Sequence, residues 1–310
     1  MLPTPDLLLS ARDLFGIDTD LQVPAFSVTD EHVPPVDPGY VFERDTTLAL
    51  LAGFLHNRRV LVQGRHGTGK SSHVEQVAAR LNWPCVRVNL DGHVTRMDLI
   101  GKDAIVLRDG LQITEFQPGI LTWALQRPCA LVFDEYDAGR ADVMFVIQRV
   151  LEVEGRLTLL DQSRVIEPHP ASARSPPPTR WALATPPGSI TARSSTVDRM
   201  DRWNIVVTLN YLPHDSEVAV VLARCPEHDT PDGRQTVSAM VALAALTRRG
   251  SGDGDPSTVM SPRTVVTGPR TRRSFTTWRW PDRRSSTAAI DERALVAGAL
   301  PAHDGARPAQ

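Results

Sequence analysis

Short apolar runs alternate with segments of helical periodicity through the middle of the chain. Val60-Leu61-Val62 is an apolar run typical of a buried strand, and Val74–Leu81 repeats apolar residues at helical spacing. Cys85–Leu90 alternates apolar and polar residues as a strand does. Cys129–Glu135 is a further apolar run that closes on two carboxylates. These segments predict a strand, a helix and two more strands in that order.

Two other segments have the pattern of β-hairpins. Ala104–Phe116 has Asp109-Gly110 as its two-residue turn, and Arg156–Ile166 has a similar alternation. Ile205–Leu209 predicts one more strand, and Ser261–Val265 begins a helix with proline in its first turn. Helical spacing also occurs in Leu7–Leu14, Thr46–Leu55, Gly119–Leu125, Val143–Leu151, Glu217–Ala223 and Val237–Leu246. We expect Thr46 or Thr47 to cap the second of these helices.

A glycine-rich turn joins the first strand to the following helix and has the sequence of a phosphate-binding loop. Gly64-x-x-x-x-Gly69-Lys70-Ser71 lets consecutive backbone N–H groups face phosphate oxygens, and the dipole of the following helix favours the same anion. We expect Lys70 to reach the outer phosphates and Ser71 to offer its hydroxyl to Mg²⁺. The residues expected to contact the nucleotide are Gly64, His66, Gly67, Thr68, Gly69, Lys70, Ser71 and Ser72.

The two carboxylates that end the Cys129–Glu135 run supply the second chemical feature. Strands that end in acids are common, but a phosphate-binding loop upstream favours a metal-and-water pair. We expect Asp134 to hold Mg²⁺, directly or through water, and Glu135 to polarise the attacking water. The prediction is therefore a nucleotide-hydrolysing site.

Composition indicates which kinds of partner are excluded and which cellular compartment is favoured. The 310 residues are 41% hydrophobic, and 34 Lys and Arg balance 36 Asp and Glu, which argues against nucleic acid and membrane as partners. Cys85, Cys129 and Cys225 lack metal-ligand spacing, which favours buried thiols in a reducing compartment. With neither a signal peptide nor a long apolar segment in the sequence, we expect a cytoplasmic protein.

The order of these features resembles the AAA+ ATPases of the helix-2-insert group, which includes MoxR-like ATPases and chelatase motor subunits. Four segments more narrowly resemble the CobS-type small subunit of aerobic cobaltochelatase: Leu14–Phe26, Gly64–Ser71, Asn82–His93 and Phe133–Arg140. The resemblance implies an α/β fold. It would be a three-layered P-loop AAA+ core with a parallel sheet, hairpin inserts and a small, truncated helical lid.

The resemblance also implies a function. In that family a ring-forming ATPase uses ATP and Mg²⁺, partners a CobT-type subunit and drives a CobN-type subunit that inserts Co²⁺ into hydrogenobyrinic acid a,c-diamide in cobalamin biosynthesis. Carried over by position, Arg202 would reach the nucleotide of a neighbouring subunit, and Arg263 would contact the γ-phosphate from the lid. We expect His66, His73 and His93 to be surface histidines rather than cobalt ligands, because no metal-ligand spacing joins them.

The resemblance divides the chain into an N-terminal arm (1–38), an ATPase core (39–210), a helical lid (211–267) and a tail (268–310). We expect the arm to lie across a neighbouring subunit, or else to be loosely ordered. The tail is rich in Arg, Ser, Thr and Pro, so we expect it to remain unpacked.

The match to the family breaks between 171 and 199 and again from Gly268. Ser175–Trp181 is what a one-base shift makes of the family's sensor strand, so we hypothesise compensated frameshifts that resequencing of the locus would test. Three consecutive prolines cannot donate the hydrogen bonds of a central strand. We expect Arg180–Thr185 to form the strand instead, with Thr185 near the sensor position. The alternative is a sheet without its middle strand.

Two other functions stay open from the sequence. One is a MoxR-like ATPase that matures a different metalloenzyme. The other is a subunit that binds nucleotide and partners without hydrolysing, because its sensor strand is altered.

Overall fold

The chain begins with an antiparallel pair of strands instead of the expected helix over 7–14. In the computed structural model, which describes residues 4–152, 155–167, 180–185, 203–252, 260–262 and 264–266, β1 (Leu7–Ser10) pairs with β2 (Gln22–Ala25). Helix α1 covers only Ala11–Phe15, and the Ser10 hydroxyl accepts from the backbone of its first turn. The helical spacing of the leucines was misleading because their strand partner lies further along the chain.

This N-terminal segment packs against the core of its own chain. Val23 and Ala25 are fully buried, and the ring of Phe26 meets Trp83 edge-on with centroids 4.7 Å apart. The Asn82 side chain also donates to the Phe26 carbonyl oxygen. The segment therefore contributes to the hydrophobic core that lies beneath the first strand of the central sheet.

Helix α2 (Arg44–His56) was expected, but its cap was assigned to the wrong residue. The Glu43 carboxylate accepts from the backbone N–H groups of Asp45 and Thr46. Thr46 and Thr47 lie inside the first turn and are buried. A glutamate cap escapes sequence analysis because Ser, Thr, Asp and Asn are the usual residues at this position.

Within the described ranges, five parallel strands form the central sheet. They are β3 (Val60–Gln63), β4 (Cys85–Asn89), β7 (Ala130–Asp134), β10 (Arg180–Thr185) and β11 (Ile205–Thr208), in the spatial order β11-β3-β10-β7-β4. Every neighbouring pair is parallel. The carboxyl ends of β3 and β7 therefore lie at one edge of the sheet, on either side of β10.

The β10 strand confirms the expectation that Arg180–Thr185 forms the middle strand. Its backbone pairs Thr185 with Gln63 of β3, and Ala184 with Asp134 of β7. The sheet is therefore continuous across its centre. The three prolines of 176–178 lie outside the described residues.

Helices cover both faces of the sheet, because alternate strand residues point to opposite sides. Ala130 and Val132 of β7 join a core cluster with residues of α2 and of α3 (Lys70–Arg80). Leu131 and Phe133 join a second cluster on the other face, which includes residues of three further helices. These are α4 (Arg96–Ile100), α5 (Ile120–Leu125) and α6 (Ala141–Val150). The result is the three-layered α/β arrangement that was expected.

Both expected hairpins are present. β5 (Gly101–Arg108) pairs with β6 (Leu111–Pro118) around the turn at Asp109-Gly110. β8 (Leu157–Leu159) pairs with β9 (Arg164–Ile166), and a short 3₁₀ turn over Leu160–Gln162 joins them. The longer hairpin separates α4 from α5, and the shorter one follows α6.

The residues up to Tyr211 form one compact unit, and those from Leu212 form a second. The second unit contains α7 (His214–Arg224) and the long helix α8 (Pro231–Gly252). Its core includes Val221, Val237 and Val265. The tail expected to remain unpacked, 268–310, lies outside the described residues.

A buried ion pair ties the elements of the second unit together. The two terminal nitrogens of Arg248 each donate to one carboxylate oxygen of Glu217 at 2.7 Å. The Arg248 Nε donates to the carbonyl oxygen of Met260, and the Met260 N–H donates back to the Thr247 hydroxyl. Arg248 therefore links α7, α8 and the segment that follows them.

Candidate nucleotide site

The phosphate-binding loop lies between the end of β3 and the start of α3. Gly69 precedes α3 with φ of 87°, a left-handed conformation that favours glycine. A Cβ on Gly64 would lie 2.3 Å from the Leu209 carbonyl oxygen, so no larger residue fits at this position. The Thr68 hydroxyl donates to the Arg65 carbonyl oxygen at 3.0 Å and closes the turn between these glycines.

Lys70 folds back over this loop. Its ammonium donates to the carbonyl oxygens of Gly64 at 2.9 Å and Arg65 at 3.1 Å. Burial lowers the pKa of Lys70, and the charges of Asp134 and Asp137 oppose that shift. The lysine is thus held above the loop, close to the carboxylate that ends β7.

Ser71 and Asp134, the two residues expected to hold Mg²⁺, lie in contact. The Ser71 Oγ lies 2.6 and 2.8 Å from the two carboxylate oxygens of Asp134 and donates to them. Asp134 is buried, whereas the adjacent Glu135 is exposed. Glu135 has φ of 52°, an uncommon left-handed conformation for a residue with a side chain, so the chain turns sharply where the strand ends.

Two residues of this site carry no local sequence signal. Arg87 on β4 forms an ion pair with Asp134, and its other terminal nitrogen lies 3.8 Å from Glu75 Oε1 on α3. Burial raises the pKa of Glu75, with the charge of Asp134 adding to the rise and that of Arg87 opposing it. Arg87 thus contacts Asp134 and lies near a second carboxylate, Glu75, beside the loop.

The remaining loop residues are more exposed to solvent than Asp134. His66 is exposed, and its carbonyl oxygen accepts from the Tyr211 hydroxyl at 2.7 Å. Gly67 is exposed, and Ser72 is half-buried in the first turn of α3. Tyr211 was not identified from the sequence.

Comparison with known proteins decides the family. A model of the N-terminal region of the cobaltochelatase CobS subunit matches residues 1–33, and a model of the AAA domain (dynein-related subfamily) matches residues 59–224. The aerobic cobaltochelatase subunit CobS of Sinorhizobium sp is 63% identical over 264 residues, which are 85% of this chain and 80% of that protein. The chain belongs to the CobS family. It is an AAA-type, nucleotide-binding ATPase subunit.

More distant relatives match smaller parts of the CobS-family chain. Protein CbbQ of Hydrogenophilus thermoluteolus is 28% identical over 134 residues, which are 43% of this chain and 49% of that protein. Midasin of Dictyostelium discoideum is 25% identical over 182 residues, 58% of this chain and 3% of that protein. Neither approaches the identity or the coverage of the CobS relative.

One histidine of this CobS-family chain was wrongly expected at the surface. His73 is buried on α3, where its ring nitrogens lie 3.1 Å from the Tyr40 hydroxyl and 2.9 Å from the Thr47 hydroxyl. Burial lowers the pKa of His73 to about 4, and the charge of Glu43 opposes the shift. His73 therefore joins Tyr40 and the first turn of α2 to the phosphate-loop helix. His66 and His93 are exposed, as expected.

The two arginines implied by the family, Arg202 and Arg263, lie outside the described residues.

Within the described ranges, no group of three or more His, Cys, Asp or Glu side chains is arranged to hold a metal ion. The helices within those same ranges include none with the length and apolar character needed to cross a bilayer. All three cysteines are free thiols, and Cys129 and Cys225 are buried.

Proposed function

We propose that this chain is the ATP-hydrolysing motor subunit of a cobaltochelatase, with Mg²⁺ as the cofactor of ATP. It would act in a homo-oligomeric ring with CobT-type and CobN-type subunits in the cytoplasm, and drive Co²⁺ insertion into hydrogenobyrinic acid a,c-diamide. The contact between Ser71 and Asp134 carries the proposal, because it joins the phosphate loop to the acidic end of β7.

The residues present fit Mg²⁺. The Ser71 hydroxyl and the Asp134 carboxylate are hard oxygen donors on adjacent elements, which suits an ion that keeps several waters and takes few protein ligands. When bound, Mg²⁺ would supply positive charge that neutralises the charge developing on the phosphates. Ser71 and Asp134 are the residues that would hold it.

The loop and the catalytic carboxylate have separate tasks in this proposal. Backbone N–H groups of Gly64–Ser72 and the positive end of α3 would hold the phosphates, and Lys70 would exchange its two carbonyl partners for phosphate oxygens. Glu135 would accept a proton from the attacking water, and its exposure leaves the carboxylate accessible. Arg202 and Arg263 are proposed, on family resemblance, to stabilise charge on the γ-phosphate.

Purified full-length chain tests these roles. We expect Glu135→Gln to keep nucleotide binding and to lower ATP turnover by about 10²- to 10⁴-fold. Lys70→Ala should lose binding itself, measured with a fluorescent ATP analogue. Glu115→Gln on the exposed hairpin is the matched carboxylate control and should change neither quantity. Binding without turnover in the unsubstituted chain would favour a hydrolysis-defective interaction subunit.

The chelatase role needs a separate measurement. With CobT-type and CobN-type subunits and the corrinoid, cobalt insertion followed by absorbance should depend on ATP and fail with Glu135→Gln. ATP turnover that no combination of these partners couples to insertion would place the chain in another maturation system.

A further inference from the structure

Asp134, the proposed magnesium ligand, already has two polar partners. The Ser71 hydroxyl contacts both of its oxygens, and Arg87 contacts Oδ2. A carboxylate offers about four lone-pair positions, so a guanidinium at contact distance takes coordination space that a metal would need. A cation that binds Asp134 through Oδ2 would therefore compete with Arg87 for this oxygen.

Arg87 also has a second carboxylate within reach. Its Nη1 lies 3.8 Å from Glu75 Oε1, and its side chain is 45% exposed, against 8% for Asp134. The guanidinium can therefore move toward Glu75 by a small side-chain rotation, provided that a cation replaces it at the buried Asp134 carboxylate.

We propose that Arg87 is a positioning residue that exchanges Asp134 for Glu75 when Mg²⁺ and nucleotide bind. The inference rests on the proposed function, because it assumes that Asp134 takes part in holding Mg²⁺. Arg87 neutralises Asp134 when no metal is bound, and Glu75 receives the arginine when the metal arrives. The exchange limits how strongly nucleotide binding depends on Mg²⁺.

The proposal predicts opposite effects for the two members of the pair. Without Arg87, Asp134 and Glu75 repel phosphates when metal is absent, and nothing competes when metal is present. The ratio of nucleotide affinity with Mg²⁺ to affinity with EDTA should then rise. Without the charge of Glu75, Arg87 loses the negatively charged partner nearest to it after Asp134 and stays on Asp134, so the same ratio should fall.

The experiment measures binding of a fluorescent ADP analogue to full-length chain, in Mg²⁺ and in EDTA. We expect Arg87→Gln to raise the Mg²⁺/EDTA affinity ratio by about tenfold and Glu75→Gln to lower it by about fivefold, typical values for coupling between two binding events. Arg87→Lys retains the charge and should stay within about threefold of the unsubstituted chain. Arg108→Gln on the hairpin, an exposed arginine paired with Glu115, is the matched control and should leave the ratio unchanged.

A purely structural role for Arg87 would change the unfolding midpoint but not the affinity ratio, so both are measured for each variant. Ratios unchanged by both Arg87→Gln and Glu75→Gln, or shifted in the same direction, would overturn the inference. If Arg87→Gln does not fold, Glu75→Gln decides alone: a lowered ratio supports the exchange and an unchanged ratio refutes it. Failure of the proposed function looks different, because the unsubstituted chain would then show no nucleotide binding or no benefit from Mg²⁺.

Discussion

Among the arginine–carboxylate pairs of the described residues, Glu217–Arg248 and Asp134–Arg87 differ in how completely they are buried. In the second unit, Glu217 and Arg248 have side chains 1% and 6% exposed, and three nitrogens of Arg248 have partners at 2.7 Å. At the nucleotide site, Arg87 is 45% exposed and lies between two carboxylates, only one of them at contact distance. The Glu217–Arg248 pair therefore has a single geometry, whereas Arg87 has Glu75 as an alternative partner.

The degree of burial determines whether a charged side chain can change its partner. A buried pair with every hydrogen bond satisfied cannot lose one partner without leaving a charge in the interior. An exposed arginine can remain solvated while it changes partner, and water screens the cost of the change. The same substitution should therefore lower the free energy of unfolding more in the Glu217–Arg248 pair than at Arg87.

The largest effect is expected from removal of the buried carboxylate. Glu217→Ala leaves the Arg248 guanidinium without a countercharge in the core of the second unit, which should lower the free energy of unfolding by about 3–5 kcal/mol. Urea unfolding of the full-length chain, followed by circular dichroism, measures the loss.

The double variant Glu217→Leu/Arg248→Met is the control for this prediction. It removes both charges and keeps the volume apolar, so it should recover much of the lost stability. A loss below about 1 kcal/mol for Glu217→Ala would show that the pair is no more important than a surface ion pair.

Sequence analysis was most successful where one segment carries its own signal. The apolar run at Val60–Val62, the turn at Asp109-Gly110 and the helix after Lys70 all match the structure, because periodicity and turn chemistry are local. The strand at Leu7–Ser10 was missed because its identity depends on pairing with Gln22–Ala25.

In the candidate site too, features contained in one segment were predicted, and features that depend on contacts between distant segments were not. The phosphate loop and the Asp134-Glu135 ending are continuous motifs, and the contact between Ser71 and Asp134 agrees with their joint interpretation. Arg87 occupies an ordinary polar position in an alternating strand, and only the parallel register of β4 against β7 brings it to Asp134. His73 was misjudged because its partners Tyr40 and Thr47 lie before the loop.

A smaller loss is expected when Arg248 keeps its charge but loses its planar fork. Lysine in Arg248→Lys cannot donate to both Glu217 oxygens and to the Met260 carbonyl oxygen in the same geometry. At least one buried acceptor then loses its donor, and the free energy of unfolding should fall by about 2 kcal/mol. The same urea titration measures it. An unchanged midpoint would mean that charge alone matters at this position.

The smallest effect is expected for the equivalent change at the nucleotide site. Arg87→Lys retains a cation within reach of Asp134 and Glu75, and the exposed side chain loses little packing, so unfolding should change by less than about 1 kcal/mol. Urea titrations of Arg87→Lys and Arg248→Lys, run side by side, compare the two pairs directly. A loss for Arg87→Lys as large as that for Arg248→Lys would place Arg87 with the structural pair. Such a loss would also show that Arg87 is not free to change partners, and the proposed exchange between Asp134 and Glu75 requires that freedom.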